Sequence, residues 1–490
     1  MTEQSPEPMS ARLLSNSFWL SASELFRLGV TIACSLSAAR ILSKEDFGLM
    51  GIVMLTIAVL NTLTQTGFEH ALVQRKEQID ELLDAAWTWQ ILRGVGLSLS
   101  LVLIAPLLAR WYELPVLTNL LMLAAVRLLL LGFVNVGIIY FRRDLVFKKV
   151  FTMNLVQALT QLLVTLPAIF IWQNVWALLS GVVAEAFALL ILSYTMHDYR
   201  PKLEWSKEKL RELGRFGKWI TGITIMGFIV TQGDDIFVSK YLGAAALGVY
   251  QLTYTLSNTP ATKITHIISQ VSFPTYSRLQ DNPQQLRATF IAVMRTSMLL
   301  SGTLSVLLAV FIPEFVSFVL SAKWAPIIPL LRILVISAFI RSFAALAGAL
   351  FQACGRPSWD LKMQLPRLIL ITTLIWPACA WAGLEGACWL IVAAISSCLP
   401  VWFRGVRTLT GLSVLEVLSL NRLVWVNMTL LSGAMMWGKT WWHGDWYMSV
   451  IAAIFGGVVW LIVMLVIGRM WPSLDLVSEL RRLKPLLQRG

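Results

Sequence analysis

Blocks of almost uninterrupted apolar residues, each about 20 long, the length a helix needs to cross a ~30 Å hydrocarbon core, repeat along this chain between short polar links. That repetition leaves few folds open, because only helices and closed barrels satisfy every backbone group inside a bilayer. Fourteen segments meet the length requirement, the first at 15–39 and the last at 447–468. The segment at 423–438 is the weakest, being short and carrying Gly433 and Gly438. Composition agrees: 57% of residues are hydrophobic and 14% charged, against ~45–50% and ~25% in a soluble domain. The sequence predicts an all-α integral membrane protein with 14 transmembrane helices.

The pattern is interrupted at length once. His197 to Lys218 carries seven basic residues against four acidic ones and reads as a water-exposed bridge between two halves. An internal echo supports the division: Arg40–Gly48 (RILSKEDFG) aligns with Lys240–Gly248 (KYLGAAALG), each between the first and second apolar block of its half. The expected organisation is an N-lobe of six helices (1–196), the connector (197–218), a pseudo-symmetric C-lobe of six helices (219–411), then two further helices and an amphipathic tail (412–490). A net charge of +13 raises nucleic acid as a partner, but its distribution argues against one. Loops on one side hold six basic residues in all (Arg40, Lys44, Arg110, Lys240, Lys323, Lys439), and the rest gather mainly on the other. Such asymmetry places the connector and both termini in the cytoplasm, with membrane lipid headgroups as a secondary contact.

Several classes of function fall away. Cys34, Cys354, Cys379, Cys388 and Cys398 lie in or beside apolar blocks without a CxxC pair, so they read as small buried hydrophobes and not as metal ligands. Glu24 and Arg27 interrupt the first apolar run, which therefore stays as a helix and is not a cleavable signal. No phosphate-binding GxxxxGK[ST] loop, HExxH or nucleophile elbow occurs. The outer loops are too short to build the external catalytic domain of a glycan polymerase or ligase.

The chemistry sits in charges within the apolar blocks. Ionisable groups there cost at least ~2.5–3.5 kcal/mol each on insertion scales, so they face a cavity or a partner. Arg27, Arg127, Lys263 and Arg341 form a cationic set; Glu24, Glu185, Asp234 and Asp235 form an anionic one. Each has a plainer alternative. Glu24 and Arg27, three residues apart, can neutralise each other on one helix face. Lys263 can snorkel to the headgroups, and His266 can simply pack at the interface. Arg332 and Arg341 lie about 180° apart around a helix, so Arg341 is taken for a cavity and Arg332 for a structural or interfacial role.

The stretches Leu42–Gly51, Ala71–Glu77, Arg142–Lys149, Arg200–Gly217, Asp234–Tyr250, Pro274–Arg287, Lys323–Leu334 and Gly355–Pro357, in this order and spacing, resemble those of bacterial polysaccharide-precursor flippases. These exporters, of the O-antigen, colanic-acid and exopolysaccharide type, belong to the multidrug/oligosaccharidyl-lipid/polysaccharide exporter superfamily. The resemblance covers about four fifths of the chain and leaves the last two helices without family motifs. Asp235 stands where the family pattern carries a basic residue and Arg127 has no counterpart in it, so neither inherits a role.

The resemblance implies an inner-membrane transporter and not an enzyme. It would flip a lipid-linked (polyprenyl diphosphate) oligosaccharide to the periplasmic leaflet by alternating access of two lobes. Independently of the resemblance, their place within the apolar blocks makes Arg27, Arg341, Arg127 and Lys263 the candidates to line a cationic cavity for the diphosphate, since a guanidinium forks onto phosphate oxygens. Arg27 and Arg341 would contribute one arginine from each lobe. Asp234, Asp235, Glu24 and Glu185 are the coupling or gating candidates, the Asp pair either binding a cation or proton or pairing with Lys240 or Arg40. No cofactor or metal is expected; coupling to a proton, a sodium ion or the membrane potential stays open. A polysaccharide polymerase and export machinery are candidate partners. A drug or cation antiporter of the same superfamily is the alternative, though its cavity should be richer in carboxylates and aromatics.

Overall fold

The computed structural model describes residues 9–64, 79–144, 146–441 and, beyond these, 451, 455, 457 and 458. Every regular element among them is helical. The last apolar block (447–468), the tail, the re-entry Gly67–Lys76 and most of the aromatic cluster at 441–447 fall outside the described residues.

The helices are α1 (Met9–Ile41), α2 (Lys44–Thr64), α3 (Asp80–Tyr112), α4 (Val116–Gly132), α5 (Ile139–Arg143), α6 (Phe147–Trp172), α7 (Val175–Thr195), α8 (Lys207–Tyr241), α9 (Ala244–Leu279), α10 (Pro283–Phe315), α11 (Ile327–Ala353), α12 (Ser358–Ser396), α13 (Leu399–Thr410), α14 (Val414–Leu420) and α15 (Arg422–Trp441). Seven stretches among the described residues are long and apolar enough to cross a membrane, or nine when two bent pairs each count as one span. The long helices α1, α8 and α9 are not among them. They carry Glu24 and Arg27, Asp234 and Asp235, and Lys263 and His266 respectively. A helix that lines a polar space does not have to be apolar all round.

The chain forms two compact units, Met1–Gly248 and Val249–Gly490, divided within α9. In the first, α3 packs on α4, α6 on α1 and α7, and α2 on α8. The α3–α4 pair is close enough at Gly94 and Gly132 for a Cβ on Gly94 to lie 2.5 Å from the Gly132 Cα. Just beyond that contact the chain bends by 69° between α4 and the short helix that follows. The carbonyls released by the bend are not left bare. Gln90 Nε2 donates to the oxygens of Leu131, Gly132 and Val134 at 3.1, 3.3 and 2.9 Å, which is the satisfaction a break at membrane depth requires.

The two copies of the sequence echo behave alike. The first helix of each ends just before Leu42–Ser43 and Leu242–Gly243, and the second begins at Lys44 and Ala244. The copies also meet reciprocally: a Cβ on Gly48 would overlap the Ala244 carbonyl, and one on Gly248 would overlap the Lys44 carbonyl. Only glycine at both positions permits this backbone approach.

The connector is less of a loose bridge than its composition suggests. Lys207 onward is already α8, N-capped by Ser206, whose Oγ accepts from the Lys209 N–H at 3.4 Å. Residues 197–206 are strapped onto α3. Tyr199 donates its hydroxyl to Asp84 Oδ1 (2.5 Å), the Lys202 N–H donates to the same oxygen (2.7 Å), and the Glu204 N–H donates to Thr88 Oγ1 (2.8 Å). His197 stacks on Tyr140 with ring centroids 5.7 Å apart.

The second unit is built on α10, α11 and α12, with α15 laid along α10. Its core centres on Trp402, Phe290, Phe343, Phe351 and Leu350, with Trp402 and Phe343 ring centroids 4.0 Å apart. The helix α12 is kinked at Ala382–Gly383, where Gly383 has φ 56°. The link α14 opens with a capping box of Ser413 and Glu416, and Glu416 also pairs with Arg287 on α10 at 2.7 Å. Lys439 joins α15 to Glu314 on α10 at 2.6 Å.

Candidate functional site

Two groups of intramembrane charges stand out, one in each unit. In the first unit α1, α4 and α7 bring Arg27, Arg127 and Glu185 together. Arg27 Nη2 lies 3.5 Å from Glu185 Oε1, and Arg127 is within electrostatic reach of both. The Arg127 Nε is buried and makes no hydrogen bond. The cluster holds two cations and one anion, with the Arg27 side chain 55% exposed and that of Glu185 14% exposed. Glu24 is exposed on α1. On α8, Asp234 is buried, with 3% of its surface exposed, and Asp235 is half-buried beside it. The ammonium of Lys240 turns to α3, donating to the Trp111 carbonyl at 2.5 Å and lying 5.0 Å from the centre of the Trp111 ring.

In the second unit a cavity of about 780 Å³ is lined by α9, α11, α12 and the start of α13. Its size falls in the ~300–1,000 Å³ range of small-molecule sites. Helical periodicity explains the lining. On α11, Arg341, Ala344, Ala345, Gly348 and Gln352 share one face, and on α12, Asp360, Gln364 and Arg367 share another. Small residues between Arg341 and Gln352 leave the space open. Arg341 Nη2 donates to the Tyr254 hydroxyl at 2.5 Å, and its guanidinium carbon lies 5.3 Å from the centre of that ring. Its Nε is buried without a hydrogen bond. Arg332 is exposed, away from the cavity. The side chains of Lys263 and His266 on α9 lie outside the described ones, although Thr262, Thr265 and Ser269 on the same helix line the cavity.

Arg367 and Asp360 are the charged cavity residues that sequence reasoning missed, and Arg367 adds a second cation to Arg341. Arg367 is 7% exposed and lines the same space as Arg341. Both line the cavity away from the α11–α12 turn, and Cys398 is another of its lining residues. Arg367 stands close enough to the start of its apolar block to be read as topological charge, yet its i, i+7 relation to Asp360 was a usable signal. Gln352, in the last turn of α11, and Asp360, in the first turn of α12, mark the other end, and the Gln352 side chain hydrogen-bonds the Asp360 carboxylate. Chemically, the cavity offers fixed donors at one end and mixed donors and acceptors at the other. No group of three or more His, Cys, Asp or Glu residues able to hold a metal ion occurs among the described residues.

Known proteins place this architecture. The lipid II flippase MurJ, in its inward closed conformation, superposes with a TM-score of 0.68 at 14% identity, covering 93% of this chain and 99% of that one. An inward-facing multidrug transporter of the MATE family gives 0.60 at 14% identity, covering 79% and 98%. At such identities the likeness shows the fold alone. In sequence, the chain is 24% identical over 406 residues to the lipopolysaccharide biosynthesis protein WzxC of Escherichia coli K12, covering 82% of each. It is 23% identical over 363 residues to the succinoglycan biosynthesis transport protein ExoT of Rhizobium meliloti, covering 74% of this chain and 72% of ExoT. The family model described as polysaccharide biosynthesis protein matches residues 38–329, more than half of the sequence, and the chain belongs to that family.

Proposed function

We propose that this protein is a multi-pass transporter of the inner membrane that flips a lipid-linked oligosaccharide from the cytoplasmic to the periplasmic leaflet. The observation that carries this reading is the cavity in the second unit, which Arg341 and Arg367 both line among membrane helices. Two guanidinium groups in a low-dielectric space favour a polyvalent anion such as a diphosphate and repel a cationic drug, which sets the antiporter alternative aside. The relatives named for lipopolysaccharide and succinoglycan biosynthesis support the same substrate class. The Arg27–Arg127–Glu185 cluster, with a net positive charge, is proposed as a second anion contact.

The finer reading keeps 14 spans in two six-helix lobes with two additional helices, both termini in the cytoplasm, and movement by alternating access. Asp234 and Asp235 remain the candidates for coupling to a proton, a sodium ion or the membrane potential. A polymerase and export machinery would take the product in the periplasm. The test is depletion in the native host. Lipid-linked glycan should accumulate in the inner leaflet, and restoring Arg341→Ala in place of the native protein should fail to clear it at normal membrane abundance. Clearance by R341A at the wild-type rate would overturn the reading.

A further inference from the structure

The cavity of the second unit contains a residue that a purely cationic site would not hold. Asp360 lies on its wall together with Gln352, at the end nearest the turn between α11 and α12, Gln364 stands between, and Arg341 and Arg367 lie farther from the turn. At ~1.5 Å rise per residue, Arg367 is roughly 10 Å along its helix from Asp360, and Arg341 roughly 16 Å from Gln352. The two ends differ in the bonds they can make. A guanidinium has five donors and no acceptor, which matches phosphate oxygens that only accept. The other end has a carboxylate that only accepts and the Gln352 amide that does both, with the Gln364 amide between the two ends. That mixture matches hydroxyl and acetamido groups, which must donate as well as accept. A carboxylate placed there works against binding of an anion alone; Gln352 donates one hydrogen bond to it, and its remaining lone pairs can accept from a ligand that donates.

We infer that the cavity is bipartite: the Arg341–Arg367 end takes the diphosphate, and Asp360, Gln352 and Gln364 bind the first sugar through its hydroxyl and amide hydrogens. This rests on the proposed function, and it adds a selectivity. A neutral or N-acetylated sugar next to the diphosphate is accepted, and a sugar bearing its own carboxylate there is disfavoured by Asp360. Thr262 and Thr265 on α9 line the same space.

The experiment measures binding to the full-length protein in lipid nanodiscs with four probes. They are phosphatidylglycerol, bare polyprenyl diphosphate, polyprenyl diphosphate carrying one N-acetylhexosamine, and the same lipid carrying one uronic acid. The wild type should bind the N-acetylhexosamine lipid about tenfold more tightly than the bare diphosphate, the effect of one or two hydrogen bonds. It should bind the uronic acid lipid more weakly than the N-acetylhexosamine lipid. Arg341→Ala and Arg367→Ala should weaken all three diphosphate lipids by a similar factor and keep their ratios. Asp360→Ala with Gln364→Ala should bring the ratio of N-acetylhexosamine lipid to bare lipid close to one. The conservative Asp360→Asn should remove the discrimination against the uronic acid lipid. Ratios unmoved by D360N and by D360A/Q364A would overturn the bipartite cavity while leaving the diphosphate reading intact. Bare polyprenyl diphosphate binding no better than phosphatidylglycerol would overturn both.

Discussion

An arginine inside a membrane helix can be judged by where its donors go. Arg93 on α3 gives Nε to Thr64 Oγ1 at 3.0 Å and Nη2 to the backbone and side-chain oxygens of Asn61 at 3.2 and 3.0 Å. Its guanidinium ties α3 to the end of α2, a structural task. Arg341 uses one Nη on Tyr254 and buries an Nε that bonds to nothing, which suits a group waiting for a ligand. Arg27 lies between these cases. Its contact with Glu185 is long, at 3.5 Å, and its side chain is 55% exposed, so the pair itself contributes at most about 1 kcal/mol. Arg27→Ala should therefore leave thermal stability and membrane abundance nearly unchanged while lowering transport several-fold. Transport and abundance measured on the same membranes decide it. A parallel fall in both, relieved by adding Glu185→Gln, would make Arg27 structural. For Arg341, replacement by Lys should recover only part of the transport, because a point charge cannot reproduce the forked pair of donors.

At the scale of elements, the reciprocal contact of Gly48 and Gly248 fixes how closely α2 approaches the start of α9. A side chain there overlaps backbone and cannot swing away, so Gly48→Val should destabilise by at least the ~1–3 kcal/mol typical of overpacking. Thermal unfolding in detergent would show it, and an unchanged melting temperature would mean that the crossing opens without cost. The strap at 197–206 has a different sensitivity. His197 Nδ1 accepts the Tyr199 N–H at 3.0 Å, which requires an unprotonated Nδ1. Burial, followed by the charge of Lys149, holds the imidazole below its ordinary value of 6.5. The released strap therefore binds a proton more readily than the docked one, and docking weakens as pH falls through about 6.5. Burial and the bond to Asp84 push Tyr199 up, so that donor keeps its proton throughout. Hydrogen exchange at the Tyr199, Lys202 and Glu204 amides, corrected for intrinsic rates, should lose protection between about pH 7.5 and 5.5. His197→Gln should flatten that dependence; equal protection at both pH values in the wild type would contradict it.

For the whole molecule, the all-helical character with several membrane-length apolar helices was legible because apolar length is a property of the chain itself. The helix breaks at Leu42–Ser43 and Leu242–Gly243 fall where the repeated segment places them. The site was legible only in part. Arg27, Arg127, Glu185 and Arg341 announced themselves as charges at mid-segment, but which neighbour each meets depends on packing between helices far apart in sequence. Arg367 and Asp360 were hidden near a helix start, where charge is unremarkable, and only the shared face of α12 reveals them. The bend after Gly132 was invisible because its compensation comes from Gln90, on another helix. The central claim, transport of a diphosphate-linked sugar through a cavity that uses Arg341 and Arg367, is tested most directly by reconstitution. Purified protein in liposomes, supplied with a labelled polyprenyl diphosphate oligosaccharide, should move label between leaflets. R341A and R367A should slow that movement at least tenfold at equal protein content. Equal rates for the wild type and both variants, or no movement above protein-free liposomes, would contradict the account.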